Sequence, residues 1–216
     1  MANSLKYSEA VLSRLLLVRH GVTEYNSSLK FAGSTDVDMS PDGYQQVEKL
    51  RDHLQKEKID AIFCSNLKRA RRSAEVIADG HVVEITVVPD LREINYGHAE
   101  GLTFDEITRH YPDIAELMVN RSLQISFPGG DGFAELEERI NRFIDKLKQF
   151  TPEQTVLVVS HGGPLRALVC LLLEMGLQCW WRLRFDNASL SIVETYPRGA
   201  ILNLLNDVSH LEVATG

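Results

Sequence analysis

Leu15-Leu16-Leu17-Val18-Arg19-His20-Gly21 decides how the chain is read. An apolar run stops abruptly at an arginine, a histidine and a glycine, with Thr23 and Asn26 close behind. The run is apolar on both faces and too short for a helix, so it reads as a buried strand. Ligands of open α/β sheets bind beyond the carboxyl ends of the strands, and Arg19 and His20 stand at that edge. Arginine presents a planar fork of donors that matches phosphate oxygens. A histidine near its ordinary pKa serves as nucleophile or proton carrier, and Gly21 lets the backbone approach a ligand.

Thr155-Val156-Leu157-Val158-Val159-Ser160-His161-Gly162-Gly163-Pro164 repeats the pattern. It is a second buried strand ending in His-Gly, with a proline placed to open a helix whose free N–H groups suit an anion. His20 and His161 are 161 − 20 = 141 positions apart. Either one alone reads equally well as a hydrogen-bonded structural histidine. Two at strand ends beside glycines point to one shared site.

Together these stretches resemble the signatures of the histidine phosphatase superfamily, the phosphoglycerate mutase-like proteins. The early signature, Leu-Val-Arg-His-Gly-x-Thr-x-x-Asn, is matched by Leu17 to Asn26, and the late Ser-His-Gly-Gly by Ser160 to Gly163. The likeness runs from Leu15 to Leu211. Val22 stands where the family commonly has glutamate or glutamine, a departure that bears on packing more than on chemistry. The resemblance implies a three-layer α/β/α fold around a mostly parallel, mixed sheet with one antiparallel strand. The alternation of strands and helices argues independently for α/β.

Further residues take roles from the same resemblance. Arg69, before alanine in Leu67-Lys68-Arg69-Ala70, is expected to bind phosphate with Arg19, and Thr23, Asn26, Gly21 and Gly162 are expected around the same group. Glu93, in Leu91-Arg92-Glu93-Ile94-Asn95-Tyr96-Gly97-His98-Ala99-Glu100-Gly101, matches the family's proton donor. Residues from about 97 to 130 are expected to form a substrate-dependent cap where selectivity resides. Just after it, Asp131 and Gly132 replace the Glu-Ser that often follows Pro-Gly-Gly, here Pro128-Gly129-Gly130. The segment Arg182 to Ser189 and the tail Asn206 to Leu211 look most like the α-ribazole phosphatases of cobalamin nucleotide-loop assembly. Family members are commonly homodimers, and no stretch here decides the oligomeric state.

Composition narrows the classes. At 216 residues the chain reads as one domain, 1–216, with residues 1–13 as a loose leader. Hydrophobic and charged fractions of 44% and 25% are ordinary for a globular protein. The net charge, 23 − 30 = −7, argues against nucleic acid or an anionic membrane as partner, and the resemblance implies a small phosphorylated metabolite instead. Cys64, Cys170 and Cys179 are odd in number and lack metal-ligand spacing, which fits free thiols in the cytoplasm. The first residues carry no signal-peptide core. The apolar stretch Leu165 to Leu173 is interrupted by Arg166 and falls short of the roughly 20 residues of a membrane span.

The remaining elements follow from pattern. Ser40-Pro41 opens a helix that buries Tyr44, Val47, Leu50 and Leu54. Asp60 to Cys64 is a strand leading to a helix that Ser65 or Asn66 can cap. Lys68, Arg69, Arg71 and Arg72 crowd that helix's positive end, a broken local rule of the kind that marks a functional site. Thr103 to Arg121 reads as helix broken at Pro112. Glu106 and His110, four apart, lack the rest of a metal signature. Phe133, Leu136, Ile140, Phe143, Ile144, Leu147 and Phe150 form a core-facing stripe ended by Thr151-Pro152. Trp180-Trp181 reads as packing of a connecting helix rather than base stacking. Ser189 to Tyr196 and Ala200 to Leu205 form a closing hairpin.

The chemistry expected is metal-independent, cofactor-free hydrolysis of a phosphomonoester through phosphohistidine. His20, neutral and held at its other nitrogen by a backbone carbonyl, attacks phosphorus, and Glu93 protonates the leaving alkoxide. Arg19, Arg69, His20 and His161 are four potentially cationic groups around the transferred oxygens. Two alternatives stand beside this reading. A phosphoglycerate mutase is weakened because Glu93-Ile94-Asn95-Tyr96-Gly97 replaces the mutases' Glu-Arg-His-Tyr-Gly. A non-catalytic phospho-ligand-binding regulator would have no need of a nucleophile.

Overall fold

Strand β1 (Ser13–Arg19) lies inside the sheet, as its unbroken apolar run requires: Leu15, Leu16, Leu17 and Val18 are all fully buried. The computed structural model describes residues 13–150 and 154–212. Ser13, expected in the leader, belongs to β1, where its hydroxyl bonds that of Thr195 at 2.8 Å. Residues 1–12 and the expected stop at Thr151-Pro152 lie outside the described residues.

β1 pairs in parallel with β4 (Gln154–Ser160), which pairs in parallel with β2 (Ala61–Cys64), itself parallel to β3 (Ile85–Val87). On the other side β5 (Leu190–Tyr196) runs antiparallel to β1 and forms a hairpin with β6 (Gly199–Asp207). The six-stranded order is β3-β2-β4-β1-β5-β6, and only β5 opposes the common direction. The mostly parallel, mixed sheet is as expected.

Side chains alternate across a strand, and β1 divides the core accordingly. Leu15 and Leu17 join Phe133, Leu136, Ile140 and Phe143 of α6 (Phe133–Leu147) and Leu165 and Leu168 of α7 (Gly162–Leu172). Leu16 and Val18 meet Val47, Leu50 and Leu54 of α2 (Pro41–Leu54) and Ala70, Ala74 and Ile77 of α3 (Lys68–Ala78). Helices on both faces give the three layers. α2 starts as its sequence dictates: Ser40 Oγ accepts from the Gly43 N–H, and Pro41 needs no donor at the first turn.

α3 departs from expectation. Its N-cap is Leu67, which makes no side-chain cap, and Ser65 and Asn66 stand outside. A distant carboxylate caps it instead, Asp36 Oδ1 accepting from Lys68 N at 2.6 Å. Lys68 also pairs with Asp36, and Arg71 and Arg72 with Glu75, so three of the four basic residues are balanced at the surface.

α4 (Phe104–His110) and α5 (Pro112–Val119) break at Pro112 as predicted, and Glu106 serves in a capping box with Thr103. Ile107 and Ala115 are buried in the α6 side of the core. Trp180 is 6% exposed, packs edge-on against Phe133 and donates Nε1–H to Gly163 O, which is the packing role expected of it. No helix among the described residues is long and apolar enough to cross a membrane, and all three cysteines are free.

Phe143 is fully buried and meets Phe63 of β2 edge-on at 5.6 Å, joining α6 to the sheet. Phe143→Ala should cost about 3–5 kcal/mol in urea unfolding with an unchanged m-value. A loss below about 1 kcal/mol would show that α6 does not hold this layer.

Candidate active site

The β1–β4 register assembles the site. Arg19 lies opposite Ser160, and the His20 amide donates to Ser160 O at 3.0 Å, which brings the next residues together. The rings of His20 and His161 are 5.0 Å apart. His20 is 3% exposed, and its Nδ1 lies 2.7 Å from Gly21 O. A carbonyl only accepts, so Nδ1 carries the proton and Nε2 keeps its lone pair. Burial, then the charges of Arg69 and Arg19, push the His20 pKa well below its ordinary value. The ring is therefore a neutral imidazole held by a backbone carbonyl, with Nε2 unprotonated.

Gly21 acts through that carbonyl. Its N–H is spent on Ser73 Oγ at 3.1 Å, and a Cβ there would overlap Gly43 O. The expectation that Gly21 binds phosphate is corrected accordingly.

Arg69 is 1% exposed. Its Nη2 donates to Gly33 O at 2.6 Å, its Nη1 to Thr35 O at 2.8 Å and its Nε to His161 Nδ1 at 3.2 Å. One N–H on each terminal nitrogen remains for a ligand. Because Nδ1 of His161 accepts, its Nε2 carries the proton, which goes to Ser65 Oγ at 2.8 Å. Burial, Arg69, His20 and Arg19 all lower the His161 pKa well below its ordinary value. His161 therefore lies neutral behind Arg69, with both nitrogens engaged. The expected four cations reduce to two guanidiniums. Burial lowers the pKa of each and the Glu93 carboxylate opposes it.

Arg19 donates Nη1–H to Phe185 O at 2.7 Å and leaves a buried Nε without a partner among the described residues. Gly162, expected to bind phosphate, opens α7 beside this guanidinium. Thr23 is fully buried and caps α1 (Glu24–Ser27) in a reciprocal box with Asn26, so it holds Asn26 rather than a ligand. Asn26 Oδ1 accepts from Thr23 and from Asn187 Nδ2, which leaves its own Nδ2 for the cleft. Asn187 Nδ2 also donates to His20 O at 3.1 Å.

Glu93 stands across from the nucleophile. Its Oε1 accepts from Ile94 N at 2.9 Å and its Oε2 from Gly163 N at 3.3 Å. A Cβ at position 163 would overlap this carboxylate, so the second glycine of Gly162-Gly163 is required by Glu93. The pair was read from the sequence, but only its first member was assigned to the site.

These groups face a cleft of about 380 Å³ lined by Arg19, His20, Asn26, Arg69, Glu93 and Asn187, with Tyr96 and residues 29–33 as its far wall. None of these lining residues falls in 97–130, the segment expected to form a cap. It buttresses the wall from behind: Phe31 N donates to Leu102 O, and Gly101 N to Phe31 O. Glu100 accepts from the Ser34 and Thr35 amides and hydroxyls, fixing the loop whose carbonyls hold Arg69. Neither the wall nor the role of Glu100 had a local signal, because both depend on pairings made across the fold. A larger groove lined by Tyr44, Arg51 and Arg72 contains neither histidine nor cysteine.

A neutral imidazole between guanidiniums, facing an acid across a small cleft at the carboxyl ends of parallel strands, is an arrangement able to carry out phosphoryl transfer. The chain belongs to the histidine phosphatase superfamily (branch 1), whose family model matches residues 15–208, and it is a phosphatase of that superfamily. Phosphoserine phosphatase 1 of Hydrogenobacter thermophilus is 33% identical over 92% of this chain and 94% of its own length. The adenosylcobalamin/α-ribazole phosphatase of Escherichia coli K12 is 30% identical over 89% and 95%. The crystal structure of the α-ribazole phosphatase from Shigella flexneri superposes with a TM-score of 0.81 at 27% identity, covering 90% of this chain and 96% of that one.

The buried histidines make stability pH-dependent. Below about pH 6.5 the unfolded chain takes up protons that folded His20 and His161 refuse, so stability falls as pH drops. Each contributes a slope of up to about 1.4 kcal/mol per pH unit. Thermal melts between pH 7.5 and 5.5 should show this fall, shallower in His161→Gln. An equally steep fall in that variant would show that His161 does not stay neutral.

Proposed function

We propose that the enzyme hydrolyses a small phosphomonoester in two steps without a metal, and that its substrate is α-ribazole 5′-phosphate. The observation that carries the reaction is the Nδ1–H bond of His20 to Gly21 O, which leaves Nε2 unprotonated in a cleft flanked by two guanidiniums. Nε2 attacks phosphorus as the ester P–O bond breaks, and Glu93 gives its proton to the departing alkoxide. Water then attacks the phosphohistidine and gives its proton to Glu93, and phosphate leaves His20 with the ring restored. Arg19 and Arg69 hold the charge on the transferred oxygens, Asn26 adds a donor, and His161 keeps Arg69 aimed.

Three features support the ribazole ester: the names of the Escherichia coli relative and the Shigella structure, and a far wall containing Phe31 and Tyr96, edge-to-face at 5.0 Å, that suits a flat base. This reading places the enzyme in cobalamin biosynthesis in the cytoplasm, where its free thiols are at home. A second reading is phosphoserine. Lys30 lines the same cleft and offers a cation to a carboxylate, and a relative of 33% identity bears that name.

Phosphate release in excess EDTA, with both esters and 3-phosphoglycerate, tests the proposal. A kcat/KM of about 10⁴ M⁻¹s⁻¹ or more on the ribazole ester alone is the expected result. Preference for phosphoserine selects the second reading, and a requirement for a divalent ion refutes the metal-free step. His20→Ala should lose about 10⁴-fold in kcat and trap no acid-labile phosphoenzyme. A variant turning over at the parent rate refutes the nucleophile.

A further inference from the structure

The largest buried charge without a place in the mechanism so far is Arg139, on α6 and 1% exposed. A guanidinium is costly to bury, and a well-packed aliphatic side chain often serves stability at least as well. Burial lowers its pKa to about 10, reinforced by Arg92 and opposed by Glu93, Asp131 and Asp90, so it remains a cation at neutral pH. Its donors explain its place. Nη1 donates to Asp90 O at 2.9 Å and also to Arg92 O. Nη2 is 3.8 Å from Asp131 Oδ2, while Nε and Nη2 find no hydrogen-bond partner among the described residues.

The carbonyl between these two is held as well, since Ser160 Oγ donates to Leu91 O at 2.7 Å. Three consecutive carbonyls, 90, 91 and 92, thus each take a buried side-chain donor. Glu93 is the next residue. Beyond it, Asp131 Oδ2 accepts from Asn95 N at 3.1 Å and from Arg92 Nη2 at 3.3 Å, and Asp131 N donates to Asn95 O at 2.8 Å. The backbone is clamped on both sides of one residue, and that residue carries the carboxylate in the cleft.

We propose that Arg139, with Asp131 as its counter-charge, is a positioning residue for the proton-donating Glu93. The inference rests on the reading of Glu93 as the acid. A general acid works only within hydrogen-bond reach of the leaving oxygen, and misplacement by about 1 Å can cost about 100-fold. Lysine cannot replace the guanidinium, because one ammonium on a flexible stem does not span two carbonyls and a carboxylate in fixed geometry.

A leaving-group series tests this: 2,4-dinitrophenyl, p-nitrophenyl and phenyl phosphate with the parent, Glu93→Gln and Arg139→Lys. Esters of acidic phenols leave without a proton, and phenyl phosphate needs one more. Arg139→Lys should lose about 10- to 100-fold in kcat on phenyl phosphate but less than about threefold on the dinitrophenyl ester. The dependence on leaving-group pKa should steepen as in Glu93→Gln. Parallel losses across the series, or no loss in a folded variant, overturn the proposal while a steepened Glu93→Gln leaves the acid assignment standing. A flat series for Glu93→Gln overturns the acid assignment and the positioning role with it. If Arg139→Lys does not fold, Asp131→Asn loosens the same clamp and is judged by the same ratio.

Discussion

A guanidinium with 1% exposure must find acceptors or burden the fold, and that requirement on Arg69 shapes this site. Its acceptors are Gly33 O, Thr35 O and His161 Nδ1. Two are loop carbonyls, so the loop must turn inward, and Glu100 holds it there through the Ser34 and Thr35 amides. The third is an imidazole, whose tautomer follows from accepting the Arg69 proton and whose far nitrogen then needs Ser65. One buried cation thus connects the loop at 33–35, the end of β4 and the start of α3. The crowding of positive charge at that helix start, unfavourable by the macrodipole, exists because one of the four residues is turned inward to do this.

The same arrangement divides charge from nucleophilicity. Two imidazolium rings 5.0 Å apart, beside Arg19 and Arg69 and out of water, would repel one another strongly. Both histidines are instead kept neutral, and the guanidiniums, which do not lose their protons, supply the positive field. A phosphoryl-transfer site needs both at once: fixed charge on the equatorial oxygens and an unprotonated attacking atom.

The sheet, both histidines and Arg19 were legible in the sequence because each lies in a stretch with a local pattern, whereas Arg69 and Glu93 were picked out only by the resemblance of their segments to family motifs. Apolar runs ending in His-Gly mark strand ends, and periodicity marks the faces of α2 and α6. For Gly21 and Thr23 the sequence shows the neighbourhood but not where an amide or a hydroxyl is already spent. Gly21 N goes to Ser73, 52 positions away, and Thr23 is occupied by Asn26. The cap of α3 by Asp36, the hold of Glu100 on the loop and the clamp of Arg139 on residues 90–92 all join distant segments. Their identity depends on topology, and no window of residues contains it.

Chemistry and selectivity rest on different kinds of structure here. His20 and His161 are 3% and 0% exposed at the ends of central strands, and Glu93 follows three carbonyls held by buried donors. The far wall of the cleft is a short segment, residues 29–33, fastened by a bridge from Lys30 to Thr103 and by the Phe31 backbone, with Leu29 79% exposed at its rim. The side chains of Leu29, Phe31 and Ala32 take no part in the hydrogen bonds that hold His20, Glu93 or Arg69, whereas Gly33 is tied to Arg69 through its carbonyl and to Glu100 by close approach. Specificity can therefore move while the reaction stays. Two relatives of similar identity, 33% and 30%, carry the names of chemically different phosphoesters, and in this chain the buried histidines are tied to the core while the wall at 29–33 lies at its edge.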